Sequence, residues 1–240
     1  MAEKAYLLYA NYKIKETDTP NEMITKAAEK SFMDFCRRVS YQQKVPFDSF
    51  TAIEREVESL LTVEIPNLLH TASQPNATQD NFDSAHKNVC EAILRVYEPV
   101  GGVPYGIAQR WLNLTLLNMV VIESILDVDV WSIGSVRHFF HVPVEMYVLE
   151  AAASSNRIRP FQNSLFLKAA PIQHEDGTST FHWFVAGTTL TFEHWDYDLY
   201  RNFQTAIRER LQPDIASGTY KDVLDWSMRA YLEVIARRIR

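Results

Sequence analysis

Apolar residues recur with a period close to 3.6 along most of the 240-residue chain, a spacing typical of helices that pack one face into a core. In the first 100 residues this period predicts three helices, at about residues 20–39, 47–61 and 80–97. Pro46 separates the first two, and the polar run at residues 70–78 predicts the loop before the third. Thr78 or Asp80 supplies the side chain that caps the third helix. Residues 1–20 lack the period and are predicted to be irregular.

The rest of the chain is predicted to hold four further helices. They begin near residues 107, 146, 196 and 220. Their apolar stripes repeat at helical spacing, and the arginines that close the last helix suit the negative end of its dipole. Seven or eight helices therefore account for most of the sequence.

One segment departs from the helical period. Residues 164–170 and 180–190 alternate apolar and polar side chains on either side of a Glu-Asp-Gly turn at residues 175–177. Alternation of period two around such a turn predicts an antiparallel β-hairpin. The predicted fold is mainly α, with one β-hairpin inserted at about residues 164–190. No linker-like composition interrupts the chain, so we predict a single domain whose N-terminal helical part covers residues 1–100.

Composition and charge limit the classes of protein that fit this pattern. An apolar fraction of 47% with 12% aromatic residues fits a compact helical protein. The net charge of −6 disfavours a broad electrostatic grip on nucleic acid, although the stretch from Trp131 to Lys168 is locally basic. No window of ~18–20 uncharged apolar residues predicts a membrane span. The two cysteines lack disulfide or zinc spacing and the N-terminus lacks a signal-peptide layout, so we expect a cytoplasmic protein. We also expect the protein to be a monomer.

The residues that could carry chemistry concentrate between residues 101 and 149. A turn rich in glycine leads directly into the apolar helix predicted from residue 107; its sequence is Gly101-Gly102-Val103-Pro104-Tyr105-Gly106. The start of that helix carries four side chains able to contact a ligand: Gln109, Arg110, Trp111 and Asn113. A second segment, Arg137-His138-Phe139-Phe140-His141-Val142-Pro143-Val144, ends on a single carboxylate, Glu145, at the start of the next helix. This constellation is the part of the sequence that indicates catalysis.

The constellation resembles the helix–hairpin–helix DNA glycosylases. In that superfamily a Gly-hydrophobic-Gly hairpin precedes a helix, and a catalytic Asp follows downstream in a Pro-Val-Asp type of segment. Residues 102–108 resemble the hairpin, and His141-Val142-Pro143-Val144-Glu145 resembles the Asp segment. Ala108-Gln109-Arg110-Trp111-Leu112-Asn113 also looks like the Ala-Gln-Lys-Trp-Leu-Asn helix of bacterial proteins similar to the archaeal 8-oxoguanine glycosylases, and residues 195–208 look like their C-terminal helix. The resemblance covers about the last 140 residues.

The resemblance implies an enzyme that hydrolyses the N-glycosidic bond of a damaged or modified base flipped out of double-stranded DNA, without a cofactor. Glu145 takes the place of the catalytic Asp, and Arg110 takes the place of the lysine with which bifunctional members attack the sugar. Because arginine stays protonated it cannot form a Schiff base, which predicts a monofunctional glycosylase. The residues expected to contact base or phosphate are Gly102, Gly106, Gln109, Trp111, Asn113, Arg137, His138, His141, Arg157 and Arg159.

Other interpretations remain open. Arg in place of Lys, and Glu one methylene longer than Asp, also fit a non-catalytic module that keeps the fold and binds nucleic acid or protein. Without the resemblance, Glu145 is an ordinary first-turn helix acid, and the polar residues at the helix start are buried partners. His138 and His141 have no third ligand nearby in the sequence, so we predict no metal site.

The substrate stays open between two kinds of base. Oxidised guanine is the substrate that the resemblance implies by default, whereas excision of a bulky, hypermodified phage base would act as antiviral defence. A large base needs a roomy and polar pocket. The predicted hairpin and the loop before it hold side chains suited to a sugar adduct: Arg157, Arg159, His174, Glu175, Asp176, His182 and Trp183.

Overall fold

The computed structural model describes residues 2–43, 47–154, 167–173, 179–185 and 192–238. Within these ranges the chain forms nine α-helices, three short 3-10 helices and two β-strands. The α-helices are α1 (Ala2–Tyr12), α2 (Pro20–Gln43), α3 (Phe47–Ala72), α4 (Gln79–Tyr97), α5 (Tyr105–Leu126), α6 (Ile133–Val136), α7 (Met146–Ser154), α8 (Tyr197–Ala216) and α9 (Val223–Arg238). None of the helices in the described ranges combines the length and hydropathy needed to cross a bilayer. The prediction of a mainly helical protein is confirmed.

Two of the boundaries predicted in the first half are wrong. Residues 2–12, expected to be irregular, form α1, which buries Leu8 and Tyr12 while leaving Tyr6 and Tyr9 exposed. Aromatic residues on both faces conceal the amphipathic period of this helix. The second predicted helix runs on to Ala72 and contains Pro66 in its interior. Burial of three apolar residues around and beyond the proline, Ile65, Leu68 and Leu69, stabilises the extension.

The chain divides into two compact units. Unit 1 consists of Met1–Val103 and Ile107–Phe140, and unit 2 consists of Pro104–Gly106 and His141–Arg240. The first two residues of α5 therefore belong to unit 2, and the rest of the helix belongs to unit 1.

In unit 1 the core is built around α5. This helix buries apolar side chains on every side, among them Leu112, Leu116, Met119 and Ile122. Trp111 has no exposed surface; its indole Nε1 donates to the Ala28 carbonyl oxygen at 3.1 Å, and its ring stacks on Phe32 with centroids 4.7 Å apart. The first half of α5 also buries its polar residues, which are Gln109, Arg110, Asn113 and Thr115.

Unit 2 is assembled from α7, α8 and α9. The ring of Tyr147 on α7 meets that of Tyr231 on α9 edge-on, with centroids 4.9 Å apart. Asp196 caps α8 by accepting a hydrogen bond from the Leu199 N–H at 2.9 Å. The cap fixes the start of α8, which supplies the side chains that matter most for the candidate site.

The two strands β1 (Leu167–Gln173) and β2 (Ser179–Val185) pair antiparallel, with a register that runs from Leu167 opposite Val185 to Gln173 opposite Ser179. The predicted turn at residues 175–177 and both outer ends of the predicted segment lie outside the described residues. The hairpin as a whole stays a prediction.

Candidate functional site

Glu145 lies half-buried in unit 2, directly before α7. Its backbone carbonyl accepts a helical hydrogen bond from the Leu149 N–H at 2.9 Å, which makes it the residue from which the helix starts. Three of the residues ahead of it, His141, Val142 and Val144, are buried. The carboxylate is therefore carried at the positive end of a helix dipole, where the ionised form is favoured.

Two side chains of α8 hold the segment that precedes Glu145. The Gln204 amide binds Val142 twice: Nε2 donates to the carbonyl oxygen at 2.8 Å, and Oε1 accepts from the backbone N–H at 3.0 Å. The Tyr200 hydroxyl lies 2.5 Å from His141 Nδ1. Tyr200 and Gln204 are four residues apart and so project from one face of α8. Both are buried: Gln204 holds the backbone three residues before Glu145, and Tyr200 holds the side chain four residues before it.

Gly106 owes its identity to a close approach of two backbones. A Cβ at this position would lie 2.3 Å from the Phe192 carbonyl oxygen and 2.5 Å from the Glu193 carbonyl oxygen. Backbone atoms cannot move aside for a methyl group as a flexible side chain could, so only glycine fits. The sequence placed Gly106 in a phosphate-binding hairpin; the structure places it, buried, against residues 192–193 of unit 2.

Gly101 and Gly102 follow a 3-10 helix, Glu98–Val100, that comes directly after α4. Their φ angles are +100° and +76°, values that glycine adopts without strain. The Gly101 N–H donates to the Glu98 carbonyl at 3.1 Å, and the Gly102 N–H donates to the Tyr97 carbonyl at 2.8 Å. These bonds satisfy carbonyls at a helix C-terminus, so the two amide groups already have partners within the protein.

The polar residues at the start of α5 form a buried network in unit 1. The Asn113 Nδ2 group donates to Gln109 Oε1 at 2.9 Å, and Asn113 Oδ1 lies 2.8 Å from His86 Nε2 on α4. Since the amide oxygen of Asn113 faces the imidazole, Nε2 carries the proton and Nδ1 is left to accept. That Nδ1 lies 3.7 Å from Cys90 Sγ, one turn further along α4. The sequence patterns did not indicate that His86 and Cys90 join this network.

A cysteine, a histidine and an asparagine in contact are also the groups of a thiol nucleophile with its base and orienting amide. Here His86, Cys90 and Asn113 each have 0% of their surface exposed, so no substrate reaches the sulfur. The network satisfies polar groups where α4 and α5 pack, which is the role that the sequence left open for Gln109 and Asn113.

The remaining predicted site residues differ in exposure. Arg110 is buried in unit 1, Arg137 is half-buried and His138 is exposed, with its ring 4.0 Å from that of Phe139 by centroids. The Gln79 Nε2 group donates both to the Phe139 carbonyl at 2.9 Å and to Asp83 Oδ1 at 2.7 Å, which holds this segment on α4. The loop and turn candidates lie outside the described residues: Arg157, Arg159, His174, Glu175 and Asp176.

One buried carboxyl was not anticipated from the sequence. The pKa of Glu58 on α3 is raised to about 7, mainly by burial and also by the nearby Glu54 and Glu29, while Arg55 acts in the opposite direction. Its Oε1 atom is buried without a hydrogen-bond partner. Across the described ranges, no cluster of three His, Cys, Asp or Glu side chains is arranged to hold a metal ion.

No family model, no curated protein and no solved structure matches this chain. The function is therefore inferred from the geometry of the site and from the motif resemblance.

Proposed function

We propose that this protein is a monofunctional DNA glycosylase of the helix–hairpin–helix type, with Glu145 as its catalytic carboxylate. The observation that supports this best is the double hydrogen bond between Gln204 and Val142, together with the contact between Tyr200 and His141. Two side chains of α8, Tyr200 and Gln204, hold a short non-helical segment that ends on one half-buried acid. A catalytic group needs that kind of support from its neighbours.

The chemistry suits a carboxylate in this place. Cleavage of an N-glycosidic bond passes through a sugar with oxocarbenium character, and a nearby anion stabilises that positive charge. The same carboxylate orients the attacking water and accepts its proton. Glu145 stands at the N-terminus of α7, where the helix dipole favours a negative charge. Arg110 stays protonated and forms no Schiff base, so the reaction ends at an abasic site without strand cleavage.

Contacts to DNA are assigned to accessible residues. Gln109, Trp111 and Asn113 are buried in the core of unit 1, so we assign them no contact with DNA. Arg137 and His138 are the predicted DNA contacts with surface available in the described part of unit 1. Because a net charge of −6 gives little general attraction to phosphate, we expect weak non-specific binding and dependence on the modified base itself.

A non-catalytic module is the second candidate, favoured by a different observation. Gln109 and Asn113 match the glycosylase helix in the resemblance. In the structure they form a hydrogen-bonded core network with His86. A protein that keeps this helix for packing alone needs no reactive Glu145. The two candidates therefore differ in what they require of that one carboxylate.

Incubation with modified duplexes, followed by hot alkali to cleave abasic sites, distinguishes the candidates. The panel holds 8-oxoguanine and phage DNA with plain, hydroxymethylated or glucosylated cytosine. We expect strand breaks after alkali only, lost by at least about 100-fold in Glu145→Gln, the scale of a general base. Glu150→Gln, a half-buried acid on the same helix, is the matched control and should stay active. Absence of abasic sites on every substrate, with binding preserved, would favour the module.

The panel also decides between substrates. Attack on glucosylated or hydroxymethylated DNA, with plain cytosine DNA untouched, supports a defence role against phage with modified bases. Attack on 8-oxoguanine alone points to repair of ordinary DNA and excludes the defence role.

A further inference from the structure

The outer side of α1 carries apolar residues that the rest of unit 1 does not cover. Tyr6 is 71% exposed, Tyr9 is 58% exposed and Leu7 is 45% exposed, and Ala10 is exposed as well. Single exposed apolar residues are common on protein surfaces, whereas a group of them on one helix marks an interaction surface. The outer side of α1 is therefore a candidate for contact with a partner.

Helix geometry collects these residues on one face. At about 100° per residue, Glu3, Tyr6, Leu7, Ala10 and Lys13 fall within an arc of about 120° around the helix axis. All five are exposed, and the side chains that α1 buries point the opposite way. These five residues are called the α1 face below.

The α1 face carries opposite charges at its two ends. Glu3 lies in the first turn of α1, and Lys13 directly follows the last residue, with its N–H still donating to the Tyr9 carbonyl oxygen at 2.8 Å. Lys4, outside the face, pairs with Asp127 at 3.3 Å. Neither Glu3 nor Lys13 has such a partner among the described residues. A complementary surface would carry the two charges in the reverse order.

A second copy of α1 that runs antiparallel has that order of charges. A twofold axis level with Leu8 places Glu3 of one helix opposite Lys13 of the other, because each lies five residues from Leu8. The same axis places Tyr6 opposite Ala10, so that a large side chain meets a small one. A parallel pair would instead bring like charges together, which is unfavourable.

We propose that the α1 face is a homodimer interface, in which two antiparallel copies of α1 pack across a twofold axis. An 11-residue helix is about 16 Å long, so this contact alone buries less than the about 1,200 Å² typical of a stable interface. The dimer is therefore weak, with a Kd on the order of 100 µM. The sequence alone predicts a monomer and an irregular segment at residues 1–20, so it does not anticipate this face. The interface does not depend on the function proposed for Glu145.

Sedimentation velocity of the untagged full chain, between about 5 and 500 µM, tests the proposal. The sedimentation coefficient should rise with concentration towards that of a dimer. Ala10→Arg puts a charge at the centre of the face and should weaken association at least about tenfold. The variant should fold normally, because the position is exposed and arginine is a good helix former. Val63→Ser, at an exposed apolar residue of α3, is the matched control and should leave association unchanged.

Exchange of the end charges identifies the partner as a second copy. Glu3→Lys and Lys13→Glu should each associate about tenfold more weakly than the wild type, because both ion pairs become repulsions. An equimolar mixture of the two variants should recover association, because each contact again joins opposite charges. A monomer at every concentration, a dimer that Ala10→Arg does not weaken, or a mixture that associates no better than either variant alone would overturn the proposal.

Discussion

Two buried amides, Asn113 in unit 1 and Gln204 in unit 2, show how differently one kind of side chain is used. Asn113 binds other side chains, Gln109 and His86, in the middle of a helix. Gln204 binds a backbone, the N–H and the carbonyl of Val142, in a segment without helix or strand. The first joins two helices of a core, whereas the second determines where the residue after that segment lies.

The backbone explains the difference. Within α5 the peptide groups bond one another, so the Asn113 amide binds side chains rather than the backbone of its own helix. The segment from His141 to Val144 has no regular partner, and its buried peptide groups need one from elsewhere. A polar network in a helix therefore indicates packing, while a side chain clamped on an irregular backbone indicates that the backbone has to be held.

Replacing Asn113 with Leu should give the largest loss of stability. His86 Nε2 and Gln109 Oε1 both lose their partner in a place that water does not reach, and the α5 backbone cannot relax to replace it. We expect the free energy of unfolding to fall by about 4 kcal/mol, from two stranded polar groups. Urea denaturation followed by circular dichroism measures it. The exposed Asn202→Leu on α8 is the control and should change stability by less than about 0.5 kcal/mol. A loss below 1 kcal/mol in Asn113→Leu would contradict the network.

Gln204→Leu should cost somewhat less, about 3 kcal/mol, because an irregular segment can shift and admit water to the Val142 peptide groups. The Val142 amide should also exchange with deuterium at least about tenfold faster, since opening is easier by more than 1.4 kcal/mol. Gln212→Leu is the matched control: it lies on the same helix and is exposed. Unchanged exchange at Val142 would show that Gln204 does not hold the segment.

The sequence predicts the positions of the helices better than it predicts the contacts at the candidate site. The 3.6-residue spacing of apolar residues locates α2, α4, α5, α8 and α9, because these helices are stabilised mainly by burial of an apolar face. It also marks α5 as strongly apolar, which is consistent with the burial of Gln109 and Asn113. Their partner His86 lies 27 residues away from Asn113, and a pattern along one helix does not reveal which face of another helix it meets.

Close contacts between distant backbone segments cannot be predicted from the sequence either. Gly106 is conspicuous in its turn, yet the carbonyls that demand a glycine come from Phe192 and Glu193, more than 80 residues later. Gln204 reads as one polar position of an amphipathic helix. Only the fold shows that it faces an irregular segment rather than solvent.

Glu58 differs from the buried amides of Asn113 and Gln204, because its Oε1 atom has no hydrogen-bond partner. A raised pKa means that the folded protein holds the proton more tightly than the unfolded chain. Between the ordinary value of 4.5 and about 7 the unfolded chain has lost that proton while the folded protein keeps it, so stability falls as pH rises through this window. Below 4.5 both states are protonated and the group makes no difference. Above about pH 7 the folded protein contains the buried charge, and the full cost is present.

Glu58→Gln removes that charge and keeps the shape of the side chain. We expect the variant to be more stable than the wild type by about 2 kcal/mol at pH 8 and equal to it at pH 4, because burial disfavours only the ionised carboxylate. Urea denaturation at both pH values gives the two differences, and subtracting the wild type cancels the other titrating groups. Glu56→Gln, exposed on the same helix, should show no such dependence on pH. A stability difference that is the same at pH 4 and pH 8 would mean that folding does not shift the pKa of Glu58.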